Sequence, residues 1–357
     1  EVDATGGAVA QFLSELGAFL DLLRVFREQE AARETFEQLA VEFVAVGDDD
    51  DGGVTLNEPR CSAYLGYGSG VHAPGRKDPV DALKAVHHLN LAHGLGVKAL
   101  RDVVAKADAK YSVTLDFQGL CPEGPTGAEA VRRIDALAHR AFTGPMLEGA
   151  YPRDLLEDTS HITDWSFLFP GDEELIHQPI DQLGVNYYAT KHVRLSDSTL
   201  PMEDLPTDTT TAGSKWPGSE HVEFIPQSGP HTAMGWSISP EGLERVLRSL
   251  SEQFPSIPLV ITENGAAFVD ELINGAVHDK ERIDYLRRHV VAAHRALQRG
   301  VDLRGYFVWS LFDNYEWAFG YAKRFGIVHI DYRTMTRTPK DSALWFAELA
   351  ATNTIPG

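Results

Sequence analysis

Two glutamates, Glu58 and Glu263, stand directly after short apolar runs of the chain. Such runs predict strands, and in α/β proteins with parallel strands the active site is built at the carboxyl ends of the strands. Two carboxyl groups about 5 Å apart can act as nucleophile and general acid/base in the retaining cleavage of a glycosidic bond. The alternative is that each glutamate is simply exposed or paired with an arginine, because most carboxylates are solvated. The spacing of the two residues by itself leaves both interpretations open.

The strands that would carry these glutamates are predicted from short runs rich in Val, Ile, Tyr or Phe. The five runs are Val54–Leu56, Tyr111–Leu115, Leu183–Tyr188, Leu259–Thr262 and Tyr306–Trp309. Each is almost continuously apolar, which is typical of strands buried on both faces. Longer stretches of helical periodicity separate the runs, and this alternation predicts βαβ units and a parallel sheet.

Two of the intervening helices have clear boundary signals. The first has Ser239 as its N-cap and Pro240 in its first position, and the second follows Asp279 and ends before Gly300. The residues predicted to face the core from the first helix are Leu243, Val246, Leu247, Leu250 and Phe254. Those predicted for the second are Ile283, Leu286, Val290 and Leu297. Both sets follow the spacing of an amphipathic helix.

The composition excludes several classes of function. The 357 residues include 32 Lys and Arg against 52 Asp and Glu, which gives a net charge of −20. This charge disfavours a nucleic-acid binder and a polybasic membrane-surface protein, because both need cationic faces. No apolar run approaches the ~20 residues that a membrane-spanning helix needs. We therefore expect neither nucleic acid nor membrane as a partner.

The cysteines and histidines do not indicate a disulfide framework or a metal site. Cys61 and Cys121 are too few for a framework and do not form a Cys-x-x-Cys pair. We expect two reduced thiols and, with no signal-peptide pattern in the first residues, a cytoplasmic protein. His87, His88 and His93 lack the spacing of His-Glu-x-x-His, and no Cys or Asp ligand set accompanies them. We expect no metal.

The chain divides into two parts by its pattern. Residues 1–53 show apolar residues at helical spacing without a β run, whereas residues 54–357 carry the alternating strands and helices. We predict an atypical helical segment ahead of the main α/β region. Asp197–His231 is a long polar stretch, and loops of that length usually serve as lids or insertions. We predict that it forms a loop over the mouth of the site.

Several motifs resemble those of family 1 glycoside hydrolases, the β-glucosidases and their relatives. Thr55–Pro59, followed by Leu65–Gly75, is similar to the acid/base region of that family. The further similar motifs are Gly184–Tyr188, Val260–Gly265, Trp309–Trp317 and Lys323–Ile327. They follow the family's order over roughly residues 35–353. The resemblance implies an α/β fold of the (β/α)8 TIM-barrel type and a retaining β-glycosidase for β-linked glucosides or galactosides, with no cofactor.

The resemblance also implies roles for individual residues. Glu263 would be the nucleophile, Glu58 the acid/base and Asn57 a hydrogen-bond partner of the sugar 2-hydroxyl. Tyr188 would bond to Glu263 and lower its pKa so that it stays ionised, while the Glu263 anion would raise the pKa of Glu58. The other residues implied in substrate binding are Asn186, Trp309 as a platform under the sugar ring, and Glu316 with Trp317 at the 4- and 6-hydroxyls.

The sequence lacks the first three strand–helix units of the family's barrel. Only five strands can be counted, beginning with the family's fourth, and three βαβ units of about 30 residues each would not fit in the residues before them. The missing units carry a Gln, a His-Trp pair and an Arg of the sugar site, and the chain has no Tyr-His-Trp or Tyr-Gln-x-Glu-Gly motif. Asp116 stands where the family usually has Asn, which adds a negative charge near the glutamates. Arg60 replaces an aromatic residue, and Gly52-Gly53 weakens the start of a strand.

An incomplete barrel would leave two open sheet edges. The N-terminal helices could cover the gap in place of the first units, the chain could pair with a second copy, or another polypeptide could supply the units. We expect helical capping with self-association, and thus a homo-oligomer that covers the open edge. The rival functions are a catalytically weak or silent glycosidase-derived protein that binds a ligand or partner, and an engineered or rearranged barrel fragment.

Overall fold

The computed structural model describes residues 52–104, 108–196 and 216–356. The predicted helical segment over residues 1–53 lies outside these ranges except for its last two residues. The first part of the predicted loop, residues 197–215, also lies outside them.

The described strands are numbered in chain order. They are β1 (Gly52–Asn57), β2 (Lys110–Asp116), β3 (Gly119–Pro122), β4 (Gln182–Asn186), β5 (Thr190–Leu195), β6 (Val222–Ile225), β7 (Leu259–Asn264), β8 (Leu303–Val308), β9 (Val328–Asp331) and β10 (Thr336–Pro339). Strands β1, β2, β4, β7 and β8 form one parallel sheet in that order. They coincide with the five apolar runs, so the prediction of a parallel α/β sheet is confirmed.

The helices follow the strands in the expected alternation. They are α1 (Pro79–Val103), α2 (Gly127–Asp135), α3 (Ala141–Thr143), α4 (Arg153–Asp158), α5 (Asp172–Ile176), α6 (Pro240–Gln253), α7 (Lys280–Gln298) and α8 (Asp341–Thr352). Three π-helical turns, Cys61–Gly68, Ala136–Arg140 and Gly144–Glu148, and a 3-10 turn, Trp317–Phe319, complete the described helical structure. No helix of the described ranges has the length and apolar character needed to cross a bilayer.

The sheet is buried in its middle and open at its sides. Strands β2 and β4 lie inside the sheet, paired on both sides, and are buried along almost their whole length. Strand β8 alternates between half-buried and exposed residues, and Phe307 is 59% exposed. In the part of the chain that the structure describes, β1 pairs only with β2 and β8 only with β7. Each outer strand therefore keeps a free edge there.

The two helices with clear sequence boundaries form as predicted, with one correction. Helix α6 begins at Pro240 and packs Leu243 and Leu247 fully inward. Helix α7 buries Leu286, but Leu297 is 45% exposed, so its predicted inward position is wrong. The small side chains of α7, Ala292, Ala293 and Ala296, are buried instead. These alanines form the buried face of the helix near its end, and Leu297 therefore faces solvent.

A small second sheet corrects the prediction for the Asp197–His231 stretch. Strand β6 pairs antiparallel with β5, which in turn pairs parallel with β3. Trp216 is also buried. Residues 216–231 are therefore not a structureless loop. The run Val222–Ile225 is short and lies in a polar stretch, so the sequence did not indicate a strand there. It forms a strand because it pairs with β5, which precedes it in the chain.

A buried ion network fixes the loops that follow β7 and β8. Asp270 in the first loop and Asp313 in the second both accept hydrogen bonds from Lys340, whose side chain is fully buried before α8. Arg282 of α7 also pairs with Asp270, and Arg324 pairs with Asp313. Removing one member of this network would leave another buried charge without a partner. The network therefore fixes the loops after β7 and β8 relative to each other.

Candidate active site

Backbone hydrogen bonds join the carboxyl ends of neighbouring strands. They are Glu58 N to Thr114 O at 3.0 Å, Phe117 N to Asn186 O at 2.9 Å, Tyr187 N to Glu263 O at 3.0 Å and Trp309 N to Asn264 O at 3.0 Å. Since all five strands run in the same direction, these ends lie at one edge of the sheet. The two glutamates, which are distant in the chain, are thereby brought to the same edge.

Two asparagine amides connect the glutamate side chains. Nδ2 of Asn186 donates to Oε1 of Glu58 at 2.9 Å and to Oδ1 of Asn57 at 3.0 Å. Nδ2 of Asn57 in turn donates to Oε1 of Glu263 at 3.3 Å. Thr262 orients the central amide, because its hydroxyl donates to Oδ1 of Asn186 at 2.7 Å. Both carboxyl groups are thus held in place by one continuous set of hydrogen bonds.

Tyr188 holds the other oxygen of Glu263. Its hydroxyl donates to Oε2 of Glu263 at 2.6 Å. The tyrosine ring packs against Trp236, with centroids 5.1 Å apart, and meets Phe325 edge-on at 6.2 Å. A short hydrogen bond of this kind favours the ionised carboxylate. The contact implied by the resemblance is therefore present in the structure.

Burial is the largest influence on both carboxyl groups. It raises the pKa of Glu58 well above 4.5, and the negative charges of Glu263 and Asp116 raise that pKa further. Burial also raises the pKa of Glu263 to about 7, although hydrogen bonds from Tyr188 and Asn57 oppose the rise. The expected effect of Tyr188, a lowering of the Glu263 pKa, agrees with the structure, but desolvation outweighs it and the net pKa is raised. The expected raising of the Glu58 pKa agrees with the structure.

Arg60 and Asp116, the two residues that depart from the family pattern, form an ion pair. Nε of Arg60 donates to Oδ2 of Asp116 at 2.6 Å, and Nη2 donates to the same oxygen. The pair is buried, and the guanidinium carbon lies 4.9 Å from the centroid of the Trp216 ring. Next to it, Sγ of Cys61 donates to Oε2 of Glu58 at 3.4 Å. The expected added negative charge is thus paired with a cation.

Trp309 lies beside the glutamates at the end of β8. It is half-buried and packs in an apolar cluster with Met234 and Phe325. Its backbone approaches Gly265 so closely that a Cβ at that position would lie 1.7 Å from the Trp309 carbonyl oxygen. Only glycine permits this approach, which explains the glycine after Glu263-Asn264.

Glu316 and Trp317 lie in the loop after β8. Glu316 accepts a hydrogen bond from Nδ2 of Asn314 at 2.9 Å, and burial raises its pKa. It is close enough for its charge to raise the pKa values of Glu263 and Tyr188. Trp317 is 58% exposed, and its ring stacks on His72 with centroids 5.5 Å apart. The structure thus brings Glu316 to the glutamate pair and leaves one face of Trp317 open.

Sequence reasoning missed three residues that support the site. Thr262 orients Asn186, and Cys61 contacts Glu58. Asn264 is fully buried, donates to the carbonyl of Tyr187 at 2.7 Å and accepts from the hydroxyl of Tyr306 at 2.6 Å. The available signal was that Thr262 and Asn264 flank Glu263 in a strand end that is otherwise apolar. The described ranges contain no group of three or more His, Cys, Asp and Glu side chains placed to hold a metal ion.

The fold and the site define an α/β protein of the TIM-barrel class with two carboxyl groups at the carboxyl edge of its sheet. The chain belongs to glycosyl hydrolase family 1, because the model of that family matches residues 11–355. The match begins well inside the segment that was predicted to be atypical.

Characterised relatives agree with this assignment. The chain is 46% identical over 331 residues to a bifunctional β-D-glucosidase/β-D-fucosidase of Bifidobacterium breve, covering 91% of this chain and 69% of the relative. It is 43% identical to the thermostable β-glucosidase B of Thermobispora bispora, covering 90% of this chain and 64% of the relative. The chain therefore spans about two thirds of the length of the curated relatives it matches.

Solved structures confirm the barrel class of the fold. The crystal structure of a psychrophilic β-glucosidase from Micrococcus antarcticus matches with a TM-score of 0.75 and 44% identity over 83% of this chain. The β-glucosidase of Thermotoga maritima in complex with deoxynojirimycin matches with a TM-score of 0.74 and 37% identity over 85% of this chain. In both cases 64% of the solved chain is covered.

Proposed function

We propose that the chain hydrolyses β-glycosides with retention of configuration at the anomeric carbon. The observation that carries the proposal is the hydrogen-bonded series that runs from Glu58 through Asn186 and Asn57 to Glu263. Double displacement needs two carboxyl groups close together, and this series joins two such groups at one strand edge. Family membership supports the same activity.

In the first step, the ionised carboxylate of Glu263 attacks the anomeric carbon and forms a glycosyl ester. The bond between that carbon and the glycosidic oxygen breaks, and the leaving oxygen takes the proton of Glu58. In the second step, Glu58 accepts a proton from water as the water oxygen attacks the anomeric carbon and releases Glu263. One water is consumed, and both carboxyl groups return to their starting states.

The substrate we propose is a small β-linked glucoside or galactoside. In this proposal Asn57 meets the 2-hydroxyl, and the hydrogen bond from Asn186 supports it. Trp309 serves as an apolar surface for the sugar ring, and Glu316 and Trp317 meet the more distant hydroxyls. The activities for which the relatives are named support glucosides first and β-D-fucosides, which lack a 6-hydroxyl, as a second class.

We also propose that the protein works in the cytoplasm and associates with a second copy through its open sheet edge. Cys61 and Cys121 are both free, which suits a reducing compartment. The exposed Phe307 on β8 supports association, because an apolar residue on an unpaired edge strand favours pairing.

The proposed activity is tested by turnover of an aryl β-glucoside with the full chain. The matched variants are Glu263→Gln and Glu58→Gln, which keep the size of each side chain. We expect Glu263→Gln to remove turnover. Glu58→Gln should retain its first step only with an aryl leaving group that departs without a proton. A 2-deoxy-2-fluoro-β-glucoside should label Glu263, detected by mass spectrometry of the peptide that contains it.

Folded wild-type protein with no turnover above the Glu263→Gln background, and no label on Glu263, would refute the proposal. Labelling of another carboxylate would refute the assigned roles while leaving the activity in place. NMR of the first sugar product distinguishes retention from inversion, since only retention gives the β anomer initially.

A second candidate is a ligand-binding protein without turnover. The observation that favours it is the raised pKa of Glu263, which no described lysine or arginine offsets through an ion pair. A nucleophile that is partly protonated near neutral pH attacks slowly. Calorimetric binding of a β-glucoside to protein that fails the turnover test would support this candidate.

A further inference from the structure

Arg60 and Asp116 form a buried ion pair beside the acid/base glutamate. Each side chain is only 9% exposed, and both Nε and Nη2 of the arginine donate to one oxygen of the aspartate. The guanidinium also lies over the ring of Trp216, which is 1% exposed. An arginine held in this way by an anion and an aromatic face has little freedom to move.

Both members of the ion pair lie on segments that are directly connected to Glu58. Arg60 follows Glu58 by two residues, and the backbone N–H of Glu58 bonds to Thr114 O on β2, the strand that ends with Asp116. Glu58 itself has a φ of 49°, which is uncommon for a residue with a side chain. Such a conformation persists only where its surroundings fix it, and the ion pair bridges the two segments that do so.

We propose that Arg60 and Asp116 act as one positioning unit for Glu58, in which each charge opposes the electrostatic effect of the other on the Glu58 carboxyl. This inference rests on the proposed function, in which Glu58 is the acid/base. Neither residue contacts the sugar in this role. Their contribution is to keep Glu58 in place without adding net charge beside it.

Several other groups face Glu58 and must be considered with the pair. They are Cys61 from the turn after β1, Asn186 and Tyr188 from the end of β4, and Glu263 from β7. Of these groups, Glu263 is the one whose charge acts on Glu58 once it is ionised, as the first step requires. The balance between Arg60 and Asp116 therefore decides whether Glu58 experiences one neighbouring anion or two.

The direction of the electrostatic effects agrees with this role. After burial and Glu263, the charge of Asp116 raises the pKa of Glu58, whereas Arg60 lowers it. Removal of the arginine alone would leave an anion that holds the proton on Glu58 more tightly. Removal of the aspartate charge alone would leave a cation that makes Glu58 release its proton more easily. A charge within about 4–6 Å of a carboxyl group changes its pKa by about 1 or more.

The experiment compares Arg60→Gln, Asp116→Asn and the double variant with the wild type. The Glu58 carboxyl is titrated directly by carbon-13 NMR of labelled glutamate and assigned with Glu58→Gln. We expect the Glu58 titration to move up by about 1 pH unit in Arg60→Gln and down by about 1 in Asp116→Asn. In the double variant it should return to near the wild-type value. The basic limb of the pH profile for kcat/KM should move in the same directions.

Arg60→Lys is the conservative control, because it keeps the charge and should leave the titration near that of the wild type even if stability falls. Shifts of the same sign in both single variants, or no shift in a folded variant, would overturn the inference. The titration also separates this inference from the proposed activity. Opposite shifts in a protein without turnover uphold the pair's role and refute hydrolysis. Turnover that depends on Glu58, with an unmoved titration, refutes the pair's role alone.

Discussion

The side-chain amide of Asn186 donates to the side-chain carbonyl of Asn57 at 3.0 Å, and through this bond the carboxyl groups of Glu58 and Glu263 share one support. Each asparagine also bonds one of the glutamates, so neither amide can rotate without losing a bond to a carboxylate. The two glutamates are therefore positioned relative to each other, as well as relative to the sheet.

Replacing Asn186 with Ala should disorder both glutamates at once. Hydrogen bonds to charged groups contribute about 1.5–3 kcal/mol, so we expect kcat/KM for an aryl β-glucoside to fall by about 10- to 100-fold. Asn353→Ala is the control, because Asn353 is an exposed residue at the end of α8. Activity equal to that of the control would show that the amide is not needed.

Replacing Tyr188 with Phe should move the acidic limb of the activity profile. The tyrosine hydroxyl favours the anion of Glu263, so its loss raises the pKa of Glu263 further from about 7. The nucleophile must be ionised, and activity is lost as the pH falls through that pKa. We therefore expect the acidic limb of kcat/KM to shift to higher pH, with a loss of about 10-fold or more at pH 6. A shift to lower pH would contradict the assigned direction.

Replacing Lys340 with Met should destabilise the loops around the site. The lysine lies between Asp270 and Asp313, and its removal leaves buried carboxylates short of a cation. Breaking such a buried pair typically costs about 3–5 kcal/mol. The measurement is the free energy of unfolding from urea denaturation. The exposed Lys280→Met serves as the control, and an equal effect of the two changes would refute a stabilising role of the network.

Two buried histidines should make the protein sensitive to acid. Burial lowers the pKa of His93 to about 3 and that of His289 to about 4, against 6.5 for an exposed histidine. Between these values the unfolded chain binds protons that the folded protein does not. The contribution of these two histidines to the free energy of unfolding should therefore be greatest above pH 6.5 and should fall as the pH decreases toward 4.

The contribution of His93 is measured by repeating urea denaturation from pH 7.5 to pH 4.5 with His93→Gln. This variant should show a slope of stability against pH that is smaller by up to one proton. His294→Gln, at an exposed position of α7, should leave the slope as in the wild type. An unchanged slope in His93→Gln would contradict the prediction.

The sequence alone determined the elements that depend on local pattern. The apolar runs predicted all five strands of the parallel sheet, and the Ser239-Pro240 and Asp279 signals located two helices. The position of Glu58 and Glu263 directly after strands predicted that they share one edge, because parallel strands all end on the same side. These inferences succeed because strand alternation and helix capping are properties of neighbouring residues.

Only the tertiary structure decided how charges and amides pair. Arg60 and Asp116 are 56 residues apart in the chain, and from the sequence each of them is simply a departure from the family pattern. The sequence alone could not weigh desolvation against the Tyr188 hydrogen bond in setting the pKa of Glu263, since the depth of burial depends on packing by distant segments. Leu297 and the strand Val222–Ile225 were misjudged for the same reason. Pairing, desolvation and solvent exposure arise from contacts between residues far apart in the chain, and local spacing does not encode them.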